Sequence, residues 1–286
     1  MSTCCPCVLI GILLAAAALL AFAYMTSRKA RYYIRITLYY MTIVLNATIG
    51  IAMCPFTALF GQAARSVMFT FSVLVRWTGI NIEVRNYDEV WSKQTTPCVV
   101  LCNHQSALDI VVMAHTFPPR GTVMMKRSLA YVPIFNLCAW LCSTIFVDRF
   151  NKEKAMHAVD QCTDALTKRN LKLWVFPEGT RNRTLDGMLP FKKGAFNIAV
   201  RAQIPIVPIV ASSYKPFYSN NTERYFDSDG EIIAQVLEPI ETTGLTLDDV
   251  SSLSDRVRQQ MLDVYAKLSA EAADRVAAKR GAKKTE

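Results

Sequence analysis

Two long apolar runs open the chain. Residues 7–25 and 36–60 carry no charged side chain. Each is long enough, at ~1.5 Å per helical residue, to cross a hydrocarbon core of ~30 Å. Arg28, Lys29, Arg31 and Arg35 lie between them. The pattern predicts a membrane-embedded helical hairpin whose cationic connection faces the cytosol or anionic lipid headgroups. Ala21-Phe22-Ala23 has the small residues of a leader cleavage site. No lysine or arginine precedes the run, so an uncleaved anchor is the expectation. Residues 62–79, with Phe69, Phe71, Val73, Leu74 and Trp77, predict a shorter interfacial or core helix.

Near residue 80 the period changes. Short β-rich runs at 80–85, 97–102, 122–126, 143–147, 171–176, 204–210 and 232–237 alternate with helical stretches. Residues 151–168 place Ala155, Val159, Cys162 and Leu166 at helical spacing behind a capping Asn151. A second helix is predicted over 193–202, closed by Ile204-Pro205. From Thr246 onward Leu247, Val250, Leu253, Val257, Met261 and Leu262 share one side of a helix, with a basic, frayed end from Lys279. Strands alternating with helices predict an α/β sheet covered on both faces. The chain thus divides into a membrane-anchoring helical region, 1–79, and an α/β domain, 80–286.

Composition narrows the function classes. The 286 residues are 52% hydrophobic with a net charge of +9. A basic chain suits anionic lipids or phosphorylated substrates as well as nucleic acid. No basic run interleaved with aromatics is present, which argues against nucleic acid. The nine cysteines show neither a disulfide framework nor paired zinc-ligand spacing, so they read as free thiols, and no metal site is expected. Cys4, Cys5 and Cys7, beside the first run, are open to S-acylation.

Candidate chemistry sits at strand exits. Asn103-His104-Gln105-Ser106-Ala107-Leu108-Asp109 follows the run at 97–102. A histidine and a carboxylate five positions apart there are either a positioned general base or a helix-capping loop with an ordinary histidine. His115 and His157 read as structural. Gly-x-Ser-x-Gly is absent and no cysteine has a nucleophile's context. His104 would therefore activate a hydroxyl of the substrate. Phe176-Pro177-Glu178-Gly179-Thr180-Arg181 follows a second apolar run, with a tight turn at Pro177 and Gly179. Arg181, with Lys192 and Lys193 just before a helix start at Gly194, forms a candidate phosphate site or a solvated basic loop. Val147-Asp148-Arg149 ends a third run, and Arg149 suits the same anion. Ile204-Pro205-Ile206-Val207-Pro208-Ile209 carries no reactive group and reads as a buried strand or an apolar wall.

These four stretches, in this order, resemble the motifs of the 1-acylglycerol-3-phosphate (lysophosphatidic acid) acyltransferases, and the match runs over roughly residues 80–215. The similarity is greatest to the animal endoplasmic reticulum enzymes. The resemblance implies the glycerolipid acyltransferase fold, a mixed sheet flanked by helices. It implies an acyl-CoA co-substrate, a lysophosphatidic acid acceptor and no cofactor. It makes His104 the base that deprotonates the sn-2 hydroxyl and Asp109 its orienting partner. Arg149 and Arg181 would bind the acceptor phosphate, Glu178 would hold this group in place, and Gly179, Thr180 and Lys193 would complete the acceptor site. Lys126 stands where some relatives carry a phosphate-facing lysine, although Asn136 replaces a frequent glycine in that stretch. Lys283-Lys284 near the C-terminus resembles an endoplasmic reticulum retrieval signal and requires a cytosolic tail. Other readings are an acyltransferase for another lysophospholipid or for glycerol 3-phosphate, and a non-catalytic membrane or acyl-CoA-binding scaffold.

Overall fold

A computed structural model describes residues 4–147 and 162–285. Two helices come first. α1 (Cys4–Thr26) is apolar throughout, and α2 (Arg28–Ala58) follows after the single residue Ser27, whose hydroxyl caps α2 by accepting from the Ala30 N–H. The cations expected in a connecting loop therefore occupy the first turns of α2. α1 is exposed along its length, and nothing in the domain covers its leucines. α2 differs. Tyr32, Arg35, Tyr39, Thr42, Asn46, Ala47, Gly50 and Cys54 are buried at three-to-four-residue spacing, which is one helical face. That face packs on α3 (Ala63–Leu74) and on the domain beyond it.

The domain is built on a seven-stranded sheet. Its strands are β1 (Asn81–Arg85), β2 (Cys98–Cys102), β3 (Gly121–Lys126), β4 (Ile145–Val147), β5 (Lys172–Val175), β6 (Ile206–Ala211) and β9 (Glu231–Val236). They lie in the order β1-β9-β6-β2-β5-β3-β4, and every pairing is parallel except β6 with β9. All seven predicted runs are strands within a few residues of their expected limits. A two-stranded hairpin, β7 (Tyr218–Ser219) with β8 (Tyr225–Phe226), is an addition, too short for alternation to reveal it.

Both faces of the sheet are covered, and β2 is buried throughout. Cys98, Val100 and Cys102 join one core with Tyr39, Phe71 and α5 (Asp109–Thr116). Val99 and Leu101 join the other, with α8 (Gly194–Ala202) and α9 (Val250–Thr285). That second core also takes Cys162 and Leu166 from α7, whose described part is 162–169. The start of that predicted helix lies outside the described residues. A strand period of two thus feeds two cores from one run.

The first core crosses residue 79 without a break, since α2 and α3 supply Tyr32, Tyr39, Ala64 and Phe71 to it. The division at 79/80 therefore follows hydropathy and not packing. The C-terminal end is not frayed as expected. α9 continues to Thr285, held by Lys279 against Glu231 and by Arg280 on Asp229 (2.6 Å).

Candidate active site

The parallel block β6-β2-β5-β3-β4 brings its strand exits to one edge of the sheet. The His104 loop leaves β2, the Glu178–Arg181 turn leaves its neighbour β5, and Lys126 ends β3. Three segments far apart in the chain therefore converge because their strands are adjacent and parallel, at the position where open α/β sheets bind ligands.

The central pair is formed. His104 Nδ1 lies 2.6 Å from Asp109 Oδ2. Asp109 is 2% exposed at the start of α5, and the same oxygen accepts the Gln105 and Ser106 N–H groups at 2.8 and 3.1 Å. The carboxylate therefore wraps the loop around itself while fixing the imidazole. The ring stacks on Phe176 with 4.1 Å between centroids. With Nδ1 engaged, Nε2 is the nitrogen left for chemistry.

Asn103 and Gln105 of the first motif and Asn182, just after the second, hold the loop, and none of them had an assigned role. The Asn103 side chain donates to the Ala211 carbonyl at 3.0 Å and accepts the Ala211 N–H at 2.8 Å, which ties the end of β2 to the end of β6. Gln105 Nε2 donates to the Ser212 carbonyl at 2.9 Å. The Asn182 N–H donates to the His104 carbonyl at 2.7 Å. Their sequence signal was an amide beside a motif, which by itself names no partner. Asn182 opens an Asn-x-Thr glycosylation sequence with Arg183 and Thr184, but it is buried and its Nδ2 donates to the Asp186 and Gly187 carbonyls, which leaves a glycan no room.

Glu178, expected to hold the acceptor-binding side chains in place, holds backbone instead: it is 2% exposed, and both its oxygens accept main-chain N–H groups. Oε1 accepts the His104 N–H at 2.6 Å and Oε2 the Leu189 N–H at 2.8 Å. Burial pushes its carboxyl up, and these two hydrogen bonds pull the other way. Glu178 positions His104 and presents no oxygen to a ligand.

The cationic rim is partly assembled. Arg181 and Thr180 are exposed on the turn, whose Gly179 has φ +69°. A side chain at Gly179 would be strained there and would meet Lys192 Cδ at 2.8 Å. Lys192 therefore lies over the turn, while Lys193 is an exposed residue at the N-cap of α8. The Lys192 N–H also donates to the Pro177 carbonyl at 2.8 Å. Lys126 is exposed at the end of β3. Asp148 and Arg149 lie outside the described residues.

Neither a cysteine nor a serine of the loop is a nucleophile. Burial, then the charges of Asp109 and Glu178, push the Cys102 thiol well up. Ser106 is buried and accepts the Leu108 N–H at 3.0 Å. Tyr214 packs beneath, and burial followed by the Asp109 charge keeps its phenol protonated. The Ile206–Ala211 run is β6, buried at every position, so it is core and not a ligand wall.

An apolar cavity of about 100 Å³ lies beside the site. Ile110 and Met113 of α5 line it with Val123 and Met125 of β3, Phe71 of α3 and Phe135 of α6 (Phe135–Leu141).

Comparison with known proteins agrees with this geometry. The acyltransferase family model matches residues 81–212. A putative 1-acyl-sn-glycerol-3-phosphate acyltransferase of Caenorhabditis elegans is 51% identical over 92% of this chain and 92% of its own. The human 1-acyl-sn-glycerol-3-phosphate acyltransferase alpha is 38% identical over 88% and 87%. The crystal structure of the lysophosphatidic acid acyltransferase PlsC of Thermotoga maritima superposes with a TM-score of 0.61 at 19% identity. It covers 81% of this chain and 96% of the other, a likeness of fold.

Proposed function

The chain belongs to the 1-acyl-sn-glycerol-3-phosphate acyltransferase family and is an acyltransferase. From that premise we propose that it transfers an acyl group from acyl-CoA to the sn-2 hydroxyl of lysophosphatidic acid, giving phosphatidic acid and CoA. The observation that carries this reading is the 2.6 Å contact between His104 Nδ1 and a buried Asp109. Asp109 holds the proton on Nδ1, so Nε2 accepts the hydroxyl proton as the oxygen attacks the thioester carbonyl. Asp109 then stabilises the imidazolium. Collapse of the tetrahedral intermediate breaks the C–S bond, and the imidazolium returns its proton to the departing thiolate. The enzyme forms no covalent intermediate, in keeping with the inert thiol of Cys102 and the occupied hydroxyl of Ser106.

Arg181 gives the acceptor phosphate a cation at the same sheet edge, joined by Lys126 and Lys192, and the resemblance gives Arg149 the same role. The apolar cavity beside α5 takes part of an acyl chain. Family membership as enzymes disposes of the scaffold reading. The acceptor is tested by a panel of lysophosphatidic acid, other lysophospholipids and glycerol 3-phosphate with purified protein. Transfer to lysophosphatidic acid above the rest is expected, and a preference for glycerol 3-phosphate would reassign the substrate. His104→Ala should lose at least about a hundredfold in turnover, the usual scale for a general base, with its thermal transition kept. Unchanged turnover would end the His–Asp assignment.

The two N-terminal helices are long and apolar enough to meet a membrane. α2 packs one face on the domain from Tyr32 to Cys54, about 33 Å at ~1.5 Å per residue. A helix docked over that length lies along the protein's side, so α2 sits at the surface of one leaflet with only its outer face in lipid. This removes the conflict between two full spans and a cytosolic tail. The endoplasmic reticulum is the compartment we assign, from the tail lysines and the resemblance to the animal enzymes.

A further inference from the structure

A polar cavity of about 560 Å³ opens at the junction of α1 and α2, lined by Tyr24 and Met25 of α1 and by the first turns of α2. Its charges come from distant parts of the chain. Arg28, Arg31 and Arg35 belong to α2, Arg280 and Lys283 to the last turns of α9, and Asp227 and Asp229 to the segment before β9. Five cations against two carboxylates leave three positive charges in excess.

The pairing shows which cations are satisfied. Arg28 bridges Asp227 at 3.0 Å, and Arg280 bridges Asp229 at 2.6 Å and Asp227 at 3.1 Å. Among the described residues, no carboxylate lies within ion-pair distance of Arg31, Arg35 or Lys283, although the Lys283 charge acts on Asp229 from farther off. Arg31 donates to the Tyr24 and Met25 carbonyls at 3.2 and 3.4 Å. Arg35 is the decisive residue. It is 4% exposed, it donates to the Thr78 carbonyl, and its guanidinium lies 4.6 Å from the Phe226 ring centroid. Its Nε is buried with no partner. A buried guanidinium without a carboxylate is costly, and an anion brought to the cavity would offset that cost. The cavity mouth adjoins α1, whose apolar surface is uncovered, so it lies at headgroup depth if α1 is in lipid.

We propose that the α1–α2 junction is a second phosphate site, separate from the acceptor site, which binds the headgroup phosphate of an anionic phospholipid and thereby clamps α9 to the membrane anchor. The proposal rests on the membrane placement given above and is independent of the His104 chemistry. Phosphate is the chemistry read, and either a lipid or free inorganic phosphate could bring it.

The test is equilibrium binding of water-soluble dihexanoyl phosphatidic acid to the full chain in neutral detergent. The variants are Lys283→Gln, Arg31→Gln/Lys283→Gln and Arg181→Gln. Wild type should bind two equivalents. Lys283→Gln should weaken one of them about tenfold, the scale of one lost charge-assisted contact. The double variant should lose that equivalent, with unchanged turnover on a soluble acceptor. Arg181→Gln should lose the other. Two full-affinity equivalents in the double variant would overturn the second site, whereas two in Arg181→Gln would strike only at the acceptor assignment. Competition arms separate the sources. If inorganic phosphate displaces the lipid from the junction at equal concentration, the lipid assignment falls. If dihexanoyl phosphatidylcholine displaces it equally well, the site reads acyl chains and not anionic charge, and the proposal falls. Lys283→Gln alters an exposed side chain, so this arm does not depend on a variant that fails to fold.

Discussion

At the residue scale, the structure separates a buried carboxylate that aims His104 from an exposed cation on the same turn. Glu178 and Arg181 are three positions apart, yet one is buried with both oxygens on backbone N–H groups and the other is exposed. Glu178→Gln replaces an oxygen acceptor with an NH₂ that faces an N–H donor, an opposition worth about 1–3 kcal/mol of stability. Its expected kinetic signature is a fall in kcat with acceptor KM nearly constant, since His104 shifts and the phosphate cation does not. Arg181→Ala should do the reverse, raising the KM for lysophosphatidic acid several-fold with a smaller change in kcat. Steady-state kinetics on both variants with one acceptor distinguish the roles, and matching profiles would refute the division. The sequence singled out His104, Asp109 and Arg181 because an imidazole, a carboxylate and a guanidinium at strand exits have chemical identities of their own. It could not carry the role of Glu178, because a carboxylate that binds ligand and one that binds backbone are the same letter. Asn103 and Gln105 were equally silent, since their partners at Ala211 and Ser212 are more than a hundred positions away.

At the element scale, alternation and helical spacing located the seven strands of the main sheet, whereas β7 and β8, of two residues each, are below the length at which a period exists. The order of the sheet was hidden for a different reason. Pairing β2 with both β5 and β6 is a long-range choice that neither strand's own pattern encodes. α9 shows what holds an element to the sheet. Hydrogen bonds, first from Arg85 and then from Arg275, hold the carboxyl of Glu83 below its ordinary range, and those of Glu271 and Asp229 are lowered chiefly by Arg85 and Arg280 respectively. A carboxylate depressed in the folded state stabilises the fold above its unfolded value near pH ~4, and that contribution is lost as pH falls through the lower folded value. Hydrogen exchange along α9 should therefore accelerate below pH ~4 before β2 and β5 are affected. These pairs are exposed enough to be screened, so concentrated salt at neutral pH should act in the same direction. Uniform exchange of helix and sheet would contradict this account.

For the whole molecule, the two N-terminal helices are unequal partners. α1 buries nothing in the domain, while α2 places Tyr39 at full burial in the core of the sheet. Deleting residues 1–26 should leave the thermal transition in detergent close to that of the full chain and weaken flotation with vesicles. Deleting residues 1–58 should abolish cooperative unfolding. Equal transitions for the two truncations would show that α2 is dispensable. Met41, Val44 and Leu45 of α2, Phe69 of α3, and Tyr131 and Trp140 are exposed as well. Large apolar side chains left uncovered in such number suit contact with lipid or with another protein. Hydropathy marked two long apolar helices, but the same letters describe a helix wrapped in lipid and one with a protein at its back.

The Tyr39 hydroxyl donates to the Ala107 carbonyl at 2.8 Å, inside the loop that runs from His104 to Asp109. α2 thus reaches the His104–Asp109 loop itself, and Gly50, where a Cβ would strike Cys138 Sγ at 2.8 Å, sets how closely that helix seats. For protein engineering this means the anchor is not an interchangeable module. A chimera that borrows another protein's membrane segment would inherit its lipid affinity and forfeit the loop's support, unless Tyr39 and Gly50 were grafted with it.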